Sequence, residues 1–170
     1  MGASNPFKVS VTRLSKAPGS LLAVEVEGEI PEMFVSSAWV AEGTKVRAKG
    51  QLEAVHSGIL FSGTAMVEVT TECRRCLSQS ALPLQVEMRE LFESDYKEEE
   101  GDTYPINGDY VDLTEMLRDA VVLALPVAPL CSPECKGLCQ VCGANLNEAD
   151  CGHSGGGEID PRFRILDQLR

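Results

Sequence analysis

KVRAKGQLEAVHSGILFSGTAMVEV, residues 45–69, alternates apolar and polar side chains on both sides of one turn signal. Val46, Ala48, Gly50, Leu52 and Ala54 share one face, and Lys45, Arg47, Lys49 and Gln51 share the other. Successive side chains of a strand point to opposite faces, so this period of two predicts a half-buried strand. His56-Ser57-Gly58 supplies the turn, and Ile59, Phe61, Gly63, Ala65, Val67 and Val69 form the return. The return strand leads into Cys73-Arg-Arg-Cys76, and after Ser78-Gln-Ser80 a further strand starts with Leu82, Leu84, Val86 and Met88. A Cys-x-x-Cys pair is therefore expected at the tip of a β-turn, where both sulfurs can emerge on one side.

Working outward, residues 7–14 and Leu21–Glu29 also alternate, the second with Glu25, Glu27 and Glu29 on its outer face. Residues 30–42 contain Pro31 and read as a buried loop or a short helix. The acidic block from Glu87 to Asp102 reads as a surface loop, because a like-charged run has little to bury. Asp102 to Val111 is strand-like. A helix is expected over 112–125, with Asp112 as cap, Glu115 completing a capping box, and Pro126 ending it. Its apolar stripe is Leu113, Met116, Leu117, Ala120, Val121, Ala124 and Leu125. Gly155-Gly-Gly157 reads as a hinge, and Asp160-Pro-Arg162 as the start of a last short helix.

The expected class is α+β: a twisted, mostly antiparallel β-sheet with one main helix packed on it, facing Val46, Leu52, Phe61, Val67 and Leu84. Residues 1–126 would form this β-rich core. Residues 127–170 would form a Cys-rich, loop-like zinc-binding segment ending in the short helix.

The chain has seven cysteines, and five fall between Cys131 and Cys151. Cys139-x-x-Cys142-Gly143 has the form of a zinc knuckle: two intervening residues let both thiolates face one metal, and the glycine permits a tight turn. Zinc takes four ligands at tetrahedral corners. The leading set is the all-local Cys131, Cys135, Cys139 and Cys142; the alternative brings Cys73 and Cys76 over to complete a site with Cys139 and Cys142, with Cys151 and His153 as replacement ligands, giving one ion or two. The role would be structural, since four protein ligands leave no position for an activated water. A disulfide framework fits poorly with an odd cysteine count and with no apolar export segment in the first twenty residues. A thioredoxin-like redox pair needs a helix after its cysteines, which Pro133, Gly137 and Gly143 oppose.

Fifteen Lys and Arg against 26 Asp and Glu give a formal charge of −11. Nucleic-acid backbones are bound by neutralising cations, so this balance disfavours broad contact with naked nucleic acid and suits basic protein partners. One local exception is the stripe Lys45, Arg47 and Lys49, which with Arg74 and Arg75 is the candidate for RNA contact. The longest apolar run, Ala120–Leu125, is too short to cross a bilayer. A cytoplasmic location is expected. No Ser/His/Asp set or carboxylate pair has spacing that singles it out, so no catalytic residue is expected.

In order, Cys73-Arg-Arg-Cys76-Leu77, an acidic loop, a helix ending in Leu125-Pro126, Cys135-Lys-Gly-Leu-Cys139-x-x-Cys142-Gly-x-Asn145-Leu-Asn147 and Asp160-Pro-Arg162-Phe resemble the YceD family, the large-ribosomal-RNA accumulation proteins of bacteria and chloroplasts. The similarity spans roughly residues 7–170. Cys151-Gly-His153 stands where many of those proteins have Cys-x-Cys, a change zinc accepts. The resemblance implies a non-catalytic ribosome-biogenesis factor that supports accumulation or processing of large-subunit (23S) ribosomal RNA. Its expected partners are ribosomal or rRNA-processing proteins. RNA would be touched only within an assembled particle, and no membrane or small-molecule substrate is involved. The rival classes are a thiol-disulfide redox protein and a zinc-containing nucleic-acid-binding regulator.

Overall fold

A computed structural model describes residues 5–14, 18–96 and 103–153. Among these the chain is mostly β-sheet with one α-helix, an α+β arrangement. The strands are β1 (Lys8–Ser10), β2 (Leu21–Glu29), β3 (Met33–Val35), β4 (Ala38–Val40), β5 (Lys45–Val55), β6 (Gly58–Glu72), β7 (Gln79–Glu93), β8 (Tyr104–Asn107) and β9 (Tyr110–Asp112); the helix α1 is Thr114–Ala124. Their order is β1-β9-β8-β7-β6-β4-β3. The sheet forks at β6: β5 and β2 lie along its first part, and β4 and β3 along its end. The named strand pairs are antiparallel except β7–β8, which is parallel.

The alternation of residues 45–69 is realised as burial. Val46, Ala48, Leu52, Ile59, Phe61, Ala65, Val67 and Val69 are buried, while Lys45, Arg47 and Lys49 are exposed. Gly50 pairs directly with Gly63, and the Phe61 ring fills the space that side chains there would occupy. On α1, Met116, Leu117 and Val121 are buried, as are the flanking Leu113 and Leu125. They share one core cluster with Val46, Leu52, Phe61 and Val67, against which Leu84 packs.

Five expectations change. The strand-like stretch up to Val111 is two strands, β8 and β9, paired antiparallel across a turn that contains Gly108 at φ 62°. The strand predicted over 7–14 shortens to Lys8–Ser10, because Val11 turns to bond Asp109 and Leu14 folds back onto Val11; Phe7, Val11 and Leu14 are nevertheless buried. Residues 30–42 contain neither a buried loop nor a helix but the hairpin β3–β4, whose tip Ser36 is left-handed at φ 54°. The acidic block splits: Glu87, Glu90 and Glu93 belong to β7, so cross-strand pairing overrides their charge, while residues 97–102 lie outside the described residues. Helix α1 starts later than predicted. Leu113 is its N-cap without a side-chain bond, and Asp112 instead closes β9 and accepts from the Thr114 N–H, so the capping box with Glu115 does not form. Both the 155–157 hinge and the helix opening at Asp160 lie outside the described residues.

Candidate metal centres

Two turns of the same local geometry carry the cysteine pairs. In the first, between β6 and β7, the Arg75 N–H donates to Cys73 Sγ (3.4 Å), the Leu77 N–H to the Cys73 carbonyl (2.9 Å), and the Cys73 N–H to the Ser78 carbonyl (2.9 Å). In the second, the Val141 N–H donates to Cys139 Sγ (3.4 Å), the Gly143 N–H to the Cys139 carbonyl (2.9 Å), and the Cys139 N–H to the Ala144 carbonyl (2.8 Å). The residue after each second cysteine is left-handed: Leu77 at φ 60° and Gly143 at φ 73°. Glycine adopts that conformation freely and leucine does not. Leu77→Gly should therefore stabilise the protein by up to about 1 kcal/mol, read as a rise in the urea midpoint at constant slope. No change would show that the turn holds Leu77 without strain.

Each turn completes a four-ligand cluster by meeting a distant pair. Cys73, Cys76, Cys131 and Cys135 have their sulfurs within 4.8 Å of one another, and so do the ligand atoms of Cys139, Cys142, Cys151 and His153. In the first cluster Cys73 Sγ lies 3.7 Å from Cys135 Sγ, and Cys76 Sγ 3.5 Å from Cys131 Sγ. In the second, Cys139 Sγ lies 3.9 Å from His153 Nδ1. Sulfurs at tetrahedral corners about 2.3 Å from zinc would be roughly 3.8 Å apart, so the donor sets fit a zinc ion. All seven cysteines are free thiols.

This grouping differs from both sequence-based schemes. The all-local set divides: Cys131 and Cys135 join Cys73 and Cys76, whereas Cys139 and Cys142 join Cys151 and His153. The physical reason is the docking of the segment after α1 onto the β6–β7 turn. The Arg74 N–H donates to the Pro129 carbonyl, the Leu138 N–H to the Arg75 carbonyl, and Arg75 Nη1 to the Cys135 carbonyl (2.9 Å). Asn147, in the loop between Cys142 and Cys151, bonds the first cluster's segment: its Oδ1 accepts from the Lys136 N–H (2.8 Å), and its Nδ2 donates to Cys135 Sγ (3.3 Å). The sequence signal for Asn147 was its place in Asn145-Leu-Asn147, but its role as a link needed the fold.

The sulfur environments favour anions at some positions and crowd others. N–H groups of Cys131, then of Cys76 and Arg75, hold the Cys73 thiol down to about 6 against its burial. Those of Cys142 and Val141 do the same for Cys139, also to about 6. Cys131 is pushed up to about 12, chiefly by Cys135 and Cys76 beside it. Like charges packed this closely do not all ionise unless a cation joins them.

The candidate RNA stripe is compensated. Lys49 Nζ lies 2.8 Å from Glu25, Arg47 Nη2 lies 2.6 Å from Glu27, and Lys45 Nζ lies 3.5 Å from Glu27. The antiparallel register of β2 and β5 sets Glu25 opposite Lys49 and Glu27 opposite Arg47, and Lys45, opposite Glu29, reaches Glu27 diagonally. The acidic face of β2 and the basic face of β5 thus satisfy each other. Arg75 is engaged at the first cluster, and Arg74 is exposed.

A family model described as "Large ribosomal RNA subunit accumulation protein YceD" matches residues 61–170, a span containing both clusters. An uncharacterized protein of Mycobacterium tuberculosis is 31% identical over 172 residues, covering 98% of this chain and 82% of its own. The uncharacterized protein YlbN of Bacillus subtilis is 23% identical over 169 residues, covering 96% of each chain. The Arabidopsis thaliana "Large ribosomal RNA subunit accumulation protein YCED homolog 1, chloroplastic" is 39% identical over 62 residues, 35% of this chain and 18% of its own. No solved structure matches the chain.

Proposed function

This chain belongs to the YceD family, and on that premise we propose that it supports accumulation or processing of large-subunit ribosomal RNA as a non-catalytic assembly factor. The observation that carries the reading is the family match across residues 61–170, which includes the β6–β7 turn, α1 and both ligand clusters. Among the described residues no helix is long and apolar enough to cross a membrane. A cytoplasmic setting, where thiols stay reduced, suits the free cysteines.

We assign structural zinc to both clusters. Support comes from sulfur spacings near the tetrahedral value in the first cluster, from ligand atoms within 4.8 Å of one another in both, and from four protein ligands at each, which leave no open position for activating water. In this reading the first ion fastens the post-helix segment to the sheet, and the second closes the loop that follows.

The protein acts through ribosomal or rRNA-processing proteins. A net charge of −11 opposes free RNA, and the ion pairing of Lys45, Arg47 and Lys49 removes most of the local basic stripe that would have offset it. Affinity capture of tagged protein from cells, with and without ribonuclease, tests this. Ribosomal or processing proteins should remain after ribonuclease. Loss of every partner on ribonuclease treatment, together with binding to naked RNA that charge reversal at 45, 47 and 49 abolishes, would mean direct RNA recognition. Turnover of a disulfide substrate would favour the redox reading.

A further inference from the structure

The β3–β4 hairpin carries an aromatic pair, an exposed Phe34 and a half-buried Trp39. Phe34 and Trp39 face each other across the two strands, stacked with ring centroids 6.1 Å apart and planes inclined by 29°. Phe34 is 68% exposed, on a strand whose neighbouring side chain Met33 is buried in the core. The hairpin lies at one end of the sheet, and β3 has no strand on its outer side among the described residues. Phe34, Trp39, Ser36 and Ser37 line an open depression with two carboxylate residues, Glu32 and Glu72. Neither Glu32 nor Glu72 has an ion-pair partner among the described residues, in contrast to Glu25 and Glu27 on β2. Glu72 immediately precedes Cys73, and its N–H donates to the Ser37 carbonyl, so the depression is anchored beside the first ligand cluster.

We propose that this hairpin docks an extended, Arg- and Lys-rich segment of a basic protein. Two aromatic faces attract cations through their π-electrons, and guanidinium groups stack on them. The uncompensated carboxylates at the rim draw the same cations and repel phosphate. Nucleic-acid bases also stack on exposed aromatics, but here their backbone would meet two carboxylates and no basic residue among those lining the depression. Among the described residues no strand pairs with the outer side of β3, which α1 also approaches, so main-chain groups on that side that α1 leaves open can meet an extended chain. The inference extends the protein-partner reading, yet its test needs no ribosomal component, so either can fail alone.

Trp39 is the chain's single tryptophan, so its fluorescence reports the hairpin directly. Oligoarginine should shift Trp39 emission saturably at moderate salt, and oligoglutamate should not. The double variant Glu32→Gln/Glu72→Gln, with unchanged emission in the absence of peptide, should bind about tenfold more weakly. The control Glu87→Gln/Glu115→Gln changes net charge equally at exposed sites elsewhere and should bind as the parent does. Phe34→Ala should also weaken binding, with folding checked by circular dichroism. Equal losses in both double variants would overturn the proposal, because binding would then follow overall charge. A stronger response to a single-stranded oligonucleotide would replace the peptide with nucleic acid. Concentration-dependent self-association abolished by Phe34→Ala would replace it with a second copy of the chain.

Discussion

Protein purified without chelator should contain two zinc ions per chain, one for each cluster. Cys73→Ser should lower the content to one, Cys151→Ser should likewise leave one, and the double variant should hold none. Elemental analysis reads the result. Structural zinc sites contribute apparent binding energies of about 10–16 kcal/mol in small peptides, comparable to the whole stability of a domain at about 5–15 kcal/mol. Loss of the first ion should therefore release the post-helix segment. The sheet should survive, because the main core cluster contains none of the candidate ligands and Cys73, Cys76 and Cys135 form a separate buried cluster. Chelation should leave the β signal in circular dichroism nearly intact while making residues 127–153 sensitive to protease. If Cys73→Ser loses no metal and Cys131→Ser and Cys139→Ser remove the same ion, the all-local site is right instead. If metal is absent and all seven thiols react freely, the zinc assignment fails.

Phe61→Ala should be the most damaging change in the core. Its ring is fully buried and lies against the Gly50–Gly63 pair, where neither strand supplies a side chain to refill the space. Removing such a side chain costs about 3–5 kcal/mol, from lost burial and from the cavity left behind. Urea unfolding should show a large fall in midpoint at unchanged slope. A loss below about 1 kcal/mol would mean that the neighbouring strands collapse into the gap. The opposite change, Gly63→Ala, would drive a methyl into the backbone of Lys49 and should also destabilise. By contrast, Arg47→Ala breaks only an exposed ion pair and should shift the midpoint little.

The alternation in 45–69, the acidic strand Leu21–Glu29 and the apolar stripe that became α1 were legible because burial follows a local period: two along a strand, 3.6 along a helix. The Cys-x-x-Cys turn after β6 was legible for the same reason, since the strands on either side frame it. Residues 30–42 were not, because strands of three residues are too short to establish a period, and their pairing to each other and to β6 is what makes them strands.

From sequence alone come the ligand types, their number, the two turns that present them and the resemblance that led to the family. Local spacing brings Cys73 to Cys76 and Cys139 to Cys142 because such pairs lie within one turn. Which pair shares an ion with which is a tertiary matter. Cys73 and Cys135 are 62 positions apart, and their meeting depends on the chain leaving α1 and docking on the β6–β7 turn. The fate of the basic stripe is tertiary for the same reason. Alternation showed that Lys45, Arg47 and Lys49 face outward, but only the pairing register of β2 with β5 set Glu25 and Glu27 against them. A side chain's face follows from its neighbours along the chain, whereas its partner follows from where the rest of the chain returns.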